Sequence, residues 1–292
     1  MDGKRAGKGV SGRSGAAKKA RVLTAAGADR HRLYEAAVQC PEAEVGFVAA
    51  TFKKLRGRPA RVLREDFCGT AVTSCEWVKT HSENRAVGLD LHRPTLKWAA
   101  ANNLSKLSEE ERGRVKLLEC DVRKPVAAAR GVDVVNAMNF SYWIFKTREG
   151  LREYFEAVRE SLADDGVFFL DHYGGYEAGK VQEDRRRYRM PGWNGGFTYV
   201  WDQAAFNPIS GDYRCHIHFE FSRGPAIRRA FTYEWRLWSL LEVQELLREA
   251  GFRKVTVYWE GTDAKGKGNG VFRPRTVGEA DAAYICYLTA ER

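Results

Sequence analysis

The chain has 292 residues, 44% hydrophobic and 29% charged, with a formal net charge of +10. That length carries a sizeable core, as one large domain or one domain with an insertion. It excludes a membrane-spanning helix, because no apolar run reaches the roughly 18 residues such a helix needs, and the N-terminus lacks the apolar stretch of a secretory signal.

The charge sits at one end. Residues 1–32 hold nine Lys or Arg against Asp2 and Asp29, which is +7 of the total. Residues 1–28 are dominated by Gly, Ala, Ser, Lys and Arg, and cannot bury enough surface to offset the entropy of ordering. They read as a disordered basic tail, a solubilising extension whose alternative role is electrostatic contact with RNA or another acidic partner. From Asp29 helical spacing takes over, with Leu33, Ala36, Ala37 and Val38 followed by Val45, Val48 and Phe52, interrupted by Pro41. Such a helix pair is suited to capping a cleft.

Residues 61–77, RVLREDFCGTAVTSCEW, are the most informative stretch. A short apolar run ends in acids, turns through Cys68-Gly69-Thr70 and opens into a helical pattern. This is the form of a nucleotide-handling turn at the carboxyl end of a parallel strand. Gly69 lets backbone N–H groups approach a ligand, and the following helix lends its partial positive charge to an anionic group. Two strands follow, one ending in Asp90 and one in Asp121. In a doubly wound sheet, an acid at the second strand tip, about 20 residues beyond the glycine turn, accepts both ribose hydroxyls. Asp90 holds that place, and Asp121 faces the adenine edge. The other reading of both is a solvated strand end or a helix cap. A dinucleotide dehydrogenase shares this layout but needs Gly-x-Gly-x-x-Gly against a pyrophosphate, and this turn has one glycine.

The pattern then alternates as a parallel α/β sheet requires. Helices are expected over 71–80, 94–107 and 150–162, and strands over 85–89, 115–119, 132–138 and 167–170, with 162–166 as a turn. Between Tyr176 and Ser239 the alternation lapses. Residues 196–206, 213–221 and 228–238 have period-2 spacing and read as an antiparallel insertion over the cleft. Its candidates for substrate contact are Tyr199, Trp201, His216, His218, Tyr233 and Arg236, although packing accounts for many of the aromatics. A helix over 239–250 and strands over 255–259 and 283–288 finish the sheet, while 261–282 reads as a mobile hairpin loop whose Arg273 and Arg275 could reach an anion.

Here the chain resembles the class I S-adenosylmethionine-dependent methyltransferases, from about Tyr34 to Leu288. The family's first motif, an acid, two residues and a small-Gly-Thr-Gly turn, corresponds to Glu65-Asp66-Phe67-Cys68-Gly69-Thr70-Ala71, with Phe67 and Ala71 in place of two family glycines. The resemblance implies a Rossmann-like, mostly parallel seven-stranded sheet with the antiparallel insertion after the fifth strand. In domain terms this gives the tail 1–28, a cap and cofactor core 29–175, the insertion 176–238 and the closing elements 239–292. It implies S-adenosylmethionine as cofactor and S-adenosylhomocysteine as product. Glu65 reaches toward the methionine amino group, while Phe67, Cys68, Gly69, Thr70, Asp90, Leu91, Asp121, Val122 and Asn139 complete the cofactor site; Tyr34, on its helix position alone, reads as a core or lid aromatic, the alternative being contact with the methionine carboxylate. Tyr142 joins the substrate residues. Asp171-His172-Tyr173 is weakly similar to the segment after the fifth strand in glycine N-methyltransferase-like enzymes, which makes His172 the candidate base, with Tyr173 and Asn139 beside it.

The six cysteines lack C-x-x-C spacing and read as reduced thiols of a cytoplasmic protein with no metal site; Cys68 reads as packing filler in the turn, the alternative being a pKa lowered by its helix-start position. The expected activity is methyl transfer to a small molecule. The alternatives are an RNA or protein methyltransferase using the basic tail, and a non-catalytic cofactor-binding module.

Overall fold

The computed structural model describes residues 22–190, 193 and 195–292. Two leading helices, α1 (Arg30–Val38) and α2 (Pro41–Arg56), precede the first strand. Asp29 caps α1 through its side chain, and Pro41 occupies the first turn of α2, where a missing N–H costs nothing. The core then runs β1 (Val62–Asp66), α3 (Val72–Thr80), β2 (Arg85–Asp90), α4 (Arg93–Asn102), α5 (Glu109–Gly113), β3 (Val115–Glu119), β4 (Val132–Ala137), α6 (Arg148–Ser161) and β5 (Leu162–Gly174). Four lid strands follow: β6 (Gln182–Arg189), β7 (Gly196–Phe206), β8 (Asp212–Phe221) and β9 (Ile227–Arg236). The chain closes with α7 (Leu240–Glu249), β10 (Lys254–Thr262), β11 (Gly268–Arg275) and β12 (Tyr284–Glu291).

The main sheet has the order β11-β10-β12-β5-β4-β1-β2-β3. Strands β1 to β5 are mutually parallel, and β12 lies antiparallel between β5 and β10. It has eight strands where seven are expected, because the stretch read as a loop contains β11, which pairs antiparallel with β10. The expected turn over 162–166 is instead drawn into β5, with a register irregularity opposite Val132 and Val134.

Helices cover both faces. Val45, Val48, Phe52, Trp77 and Leu96 from α2, α3 and α4 pack on Leu63, Val134, Val167 and Phe169. Leu151, Tyr154, Phe155, Val158, Val243 and Leu246 from α6 and α7 pack on Val135, Phe168, Leu170 and Leu288. Strand parity therefore assigns each β1 and β5 side chain to one layer or the other.

The second sheet, β6-β7-β8-β9, is antiparallel throughout and packs on α1 through Leu33, Phe197, Tyr199, Ile217 and Phe219. The disordered-tail expectation for 1–21 lies outside the described residues. Its last part is corrected: Leu23 is buried in this cluster, and residues 25–27 form a single 3-10 turn, because one leucine finds an apolar groove there.

Candidate active site

The loop after β1 makes a tight turn through three left-handed residues: Phe67 (φ 55), Gly69 (φ 50) and Ala71 (φ 56). Phe67 and Ala71, which replace family glycines, thus adopt conformations that side chains other than glycine's seldom take. Packing supports the strain. The Phe67 ring lies 5.5 Å from that of Tyr154 and 6.1 Å from that of Phe145, plugging the α6 layer, and Ala71 is fully buried. Cys68 is buried too, and burial, reinforced by Glu65, Asp90 and Asp66, pushes its thiol well above the usual range. This fits the packing role expected of Cys68 and not a lowered pKa: the sulfur packs inward against Gly88, where an added Cβ would come within 2.8 Å of Sγ.

Asp90 fixes the turn to the next strand. Its Oδ2 accepts from Gly69 N at 2.8 Å and its Oδ1 from His92 N at 2.7 Å. Each carboxylate oxygen retains a lone pair, so the strand-tip acid is oriented and still able to accept from hydroxyl groups. Leu91 is exposed beside it. At the third tip Val122 is buried, and Asp121 accepts from the Arg123 backbone at 2.9 Å and pairs with its guanidinium at 2.8 Å, which lowers its pKa. Thr70 is buried, and its carbonyl accepts from Asn103 Nδ2 at 2.9 Å.

Parity splits the two acids that end β1. Asp66 turns to the α6 layer, where it meets the fully buried Arg64 with both carboxylate oxygens at 2.8 Å and accepts from the Tyr154 hydroxyl at 2.9 Å. Glu65 turns to the α2–α3 layer and accepts from Ser74 N at 2.8 Å. Burial raises the Glu65 pKa to about 8.

The same parity separates the β5 residues. Asp171 shares the Glu65 face and is pushed up to about 7 by burial, even though its oxygens accept from Asn139 N at 2.8 Å and Phe140 N at 2.9 Å. It braces two left-handed residues, Asn139 (φ 60) and Phe140 (φ 55), that shape the loop after β4. His172 points the other way. It is fully buried, with Nδ1 3.1 Å from the Tyr142 hydroxyl, Nε2 without a partner and a pKa lowered to about 3 by burial. Trp143 packs edge-on against it at 5.6 Å. A general base must reach the substrate proton directly or through one water. The candidacies of His172 and of Tyr142, which is also fully buried, therefore conflict with this arrangement. Tyr173 is half-buried, and its hydroxyl meets Gln203 Oε1 on β7 at 3.1 Å.

In the lid, ladder partners divide the substrate candidates. Tyr199, Trp201 and Tyr233 share the face of Cys215 and Ile217, which packs toward α1 and the core. His216, His218 and Arg236 lie on the opposite face. His218 contacts Asp202 at 3.2 Å and His216 contacts Thr232 at 2.9 Å, while Arg236 stacks on Trp238 and pairs with Glu242 at 2.9 Å. These three therefore lie on the face away from the inner aromatics, and His216 and His218 are buried in their own side-chain contacts. Among the described residues, no group of three or more His, Cys, Asp or Glu is arranged to hold a metal ion. No helix among them is long and apolar enough to cross a membrane.

Sequence reasoning missed Glu44. It sits on α2, is 8% exposed, and has Oε2 3.3 Å from the Thr73 hydroxyl. Its signal was an acid breaking the apolar face that Val45 and Val48 define.

No protein-family model and no curated protein matches the chain. Solved structures do. Streptomyces venezuelae DesVI aligns with a TM-score of 0.65 at 18% identity, covering 90% of this chain and 98% of its own. An amino pentose methyltransferase from Micromonospora echinaspora, solved with bound S-adenosylmethionine, aligns at 0.63 and 17% identity, covering 90% and 95%. A sugar N-methyltransferase from Streptoalloteichus sp ATCC 53650 aligns at 0.61 and 16%, covering 99% of each chain. The chain thus has the Rossmann-like fold of S-adenosylmethionine-dependent methyltransferases, with a four-stranded antiparallel sheet set after the fifth strand.

Proposed function

We propose that the protein is an S-adenosylmethionine-dependent methyltransferase acting on a small, amine-bearing molecule. The observation that carries this reading is Asp90, locked by the Gly69 N–H at the tip of β2, with Glu65 one strand away on the cleft side of β1. The residues present suit the cofactor: an oriented acid for vicinal hydroxyls, and buried carboxylates for a cationic end. The amine acceptor is drawn from the neighbours, which methylate an amino pentose and a sugar nitrogen. An acid-lined cleft beneath a lid face carrying Tyr199, Trp201 and Tyr233 is chemically suited to such a cation.

When bound, the cofactor supplies a methyl group made electrophilic by its sulfonium. The protein's task is to hold an acceptor lone pair in line with that group and keep water out, so placement supplies most of the rate. An amine that arrives neutral needs no base. Asn139, held by the Asp171 brace, and Tyr173, held by Gln203, form the acceptor side, and the lid aromatics close over it. The free cysteines among the described residues suit a cytoplasmic setting.

Two other readings survive on specific observations. The basic tail supports an RNA or protein acceptor, and the strained Phe67 and Ala71 turn supports a binding module without chemistry. Titration calorimetry with S-adenosylmethionine, followed by labelled methyl transfer into metabolite, RNA and protein fractions, separates the three. Label confined to RNA or protein overturns the small-molecule reading. Cofactor binding without transfer to any fraction favours the module.

A further inference from the structure

We propose that Glu44 is a donor-binding residue: together with Glu65 it brackets the methionyl ammonium of S-adenosylmethionine, making α2 the wall that recognises the charged end of the cofactor. The inference rests on the cofactor reading above and extends it to an element outside the sheet.

The geometry begins with parity. Glu65, Asn136 and Phe169 are ladder partners across β1, β4 and β5, so their side chains share the α2 face. Asp171 and Tyr287 pair two residues nearer the strand tips and share it too. Glu44 comes down onto this face from α2, and its neighbour Phe47 stacks on Tyr287 at 4.5 Å. The Thr73 hydroxyl meets the Glu44 carboxylate and also faces Glu65, so the two acids converge on the start of α3.

A second, independent observation points to a ligand. Asn136 is 1% exposed, and its Oδ1 has no hydrogen-bond partner. A buried acceptor without a donor costs free energy until something supplies one. Acids and an orphaned amide oxygen on one face form an acceptor-rich surface, and the ligand that complements it carries several N–H donors on a positive charge. An alkylammonium does so, and the donor's methionyl end has one.

Among the described residues, the titratable groups facing Glu44 are acidic or neutral: Tyr34 from α1, Glu42 in the first turn of α2, Glu65 from β1, Asp171 from β5 and Tyr287 from β12. Burial raises the pKa of Glu44 as it does that of Glu65. Near neutral pH Glu65, raised to about 8, accordingly holds its proton when no cation is present. Entry of an ammonium favours the ionised forms, so binding releases protons.

The test uses calorimetry on the full chain with three probes: S-adenosylmethionine, S-adenosylhomocysteine and 5′-methylthioadenosine, which keeps the nucleoside but lacks the amino acid. Glu44→Gln preserves shape and polarity. It should weaken both amino-acid-bearing ligands about tenfold or more, the loss of one charge-assisted hydrogen bond, and leave methylthioadenosine unchanged. Repeating the titration in buffers of different ionisation enthalpy should detect protons released by the wild type, and fewer by the variant. Unchanged affinity for S-adenosylmethionine in the variant overturns the proposal. An equal loss for all three ligands also overturns it, by marking Glu44 as structural. A wild-type chain that binds none of the three defeats the cofactor reading itself, a separate result.

Discussion

The two sheets solve opposite problems. At the tips of the parallel sheet the chain gathers buried acids and left-handed turns, and much of its hydrogen bonding goes into holding them: Asp90 on Gly69, Asp171 on Asn139 and Phe140, Asp66 on Arg64. The antiparallel sheet packs aromatics on its inner face and arranges charges outside, as in the pairs Arg214–Glu234 and Arg185–Glu183. The first region is rigid because its polar groups must be satisfied. The second follows alternation and offers a surface whose chemistry can change without disturbing its neighbours. The half to which we assign the cofactor is thus over-determined, and the half that would select an acceptor is comparatively free.

The largest expected effect breaks this contrast at its base. Asp66→Ala strands the fully buried Arg64, so denaturant unfolding should show a loss of about 3–5 kcal/mol. Asp90→Ala should weaken cofactor binding by about 1–3 kcal/mol with the fold retained; unchanged affinity in calorimetry removes it from the ribose role.

A pH scan of thermal unfolding tests the buried groups together. Glu65 and Asp171 have raised pKa values, about 8 and about 7, so the stability they contribute is full below their ordinary carboxylate range and is lost as pH rises through neutrality. His172 has the opposite sign. Its pKa is lowered from 6.5 to about 3, so its contribution is full above 6.5 and disappears as pH falls toward 3. The ligand-free protein should therefore lose melting temperature on both sides of a mildly acidic optimum, and cofactor should soften the alkaline side.

Smaller effects sharpen the lid. Tyr233→Phe removes the hydroxyl of a partly buried lid tyrosine and should cost no more than about 1.5 kcal/mol, measured by chemical denaturation. Arg214→Gln, on the outer lid face, should shift stability by no more than about 0.5 kcal/mol and leave acceptor KM alone. A large rise in KM would place the acceptor on the wrong side of the lid as described.

Much of the cofactor half was legible because its signals are local: a glycine turn between a strand and a helix, and acids where strands end. The lid was legible for the same reason, its strands β7, β8 and β9 alternating over ten residues or so. β6 was not, since Gln182-Glu-Asp-Arg-Arg-Arg-Tyr-Arg189 has no apolar face and is held as a strand only by its ladder to β7. The orientation of His172 depended on where β5 begins. Reading only 167–170 as strand left 171–173 as loop, and the parity that sends Asp171 to the cleft and His172 away became visible once β5 extended to Gly174. Glu44 was hidden because the acids it meets, Glu65 and Asp171, lie on strands far from α2 in the chain, and within its own helix it reads as a first-turn acid beside Glu42.

The outer strands of both sheets carry a further consequence. β6 presents Arg185, Arg186, Arg187 and Arg189 along an unpaired edge, and β11 ends in Arg273, Pro274 and Arg275. Charged side chains, some of them already paired as Arg185 is with Glu183 and Arg186 with Asp184, and a proline that offers no N–H make these two borders poor templates for pairing with another copy. That protection against fibre-like stacking weakens when concentrated salt shields the charges.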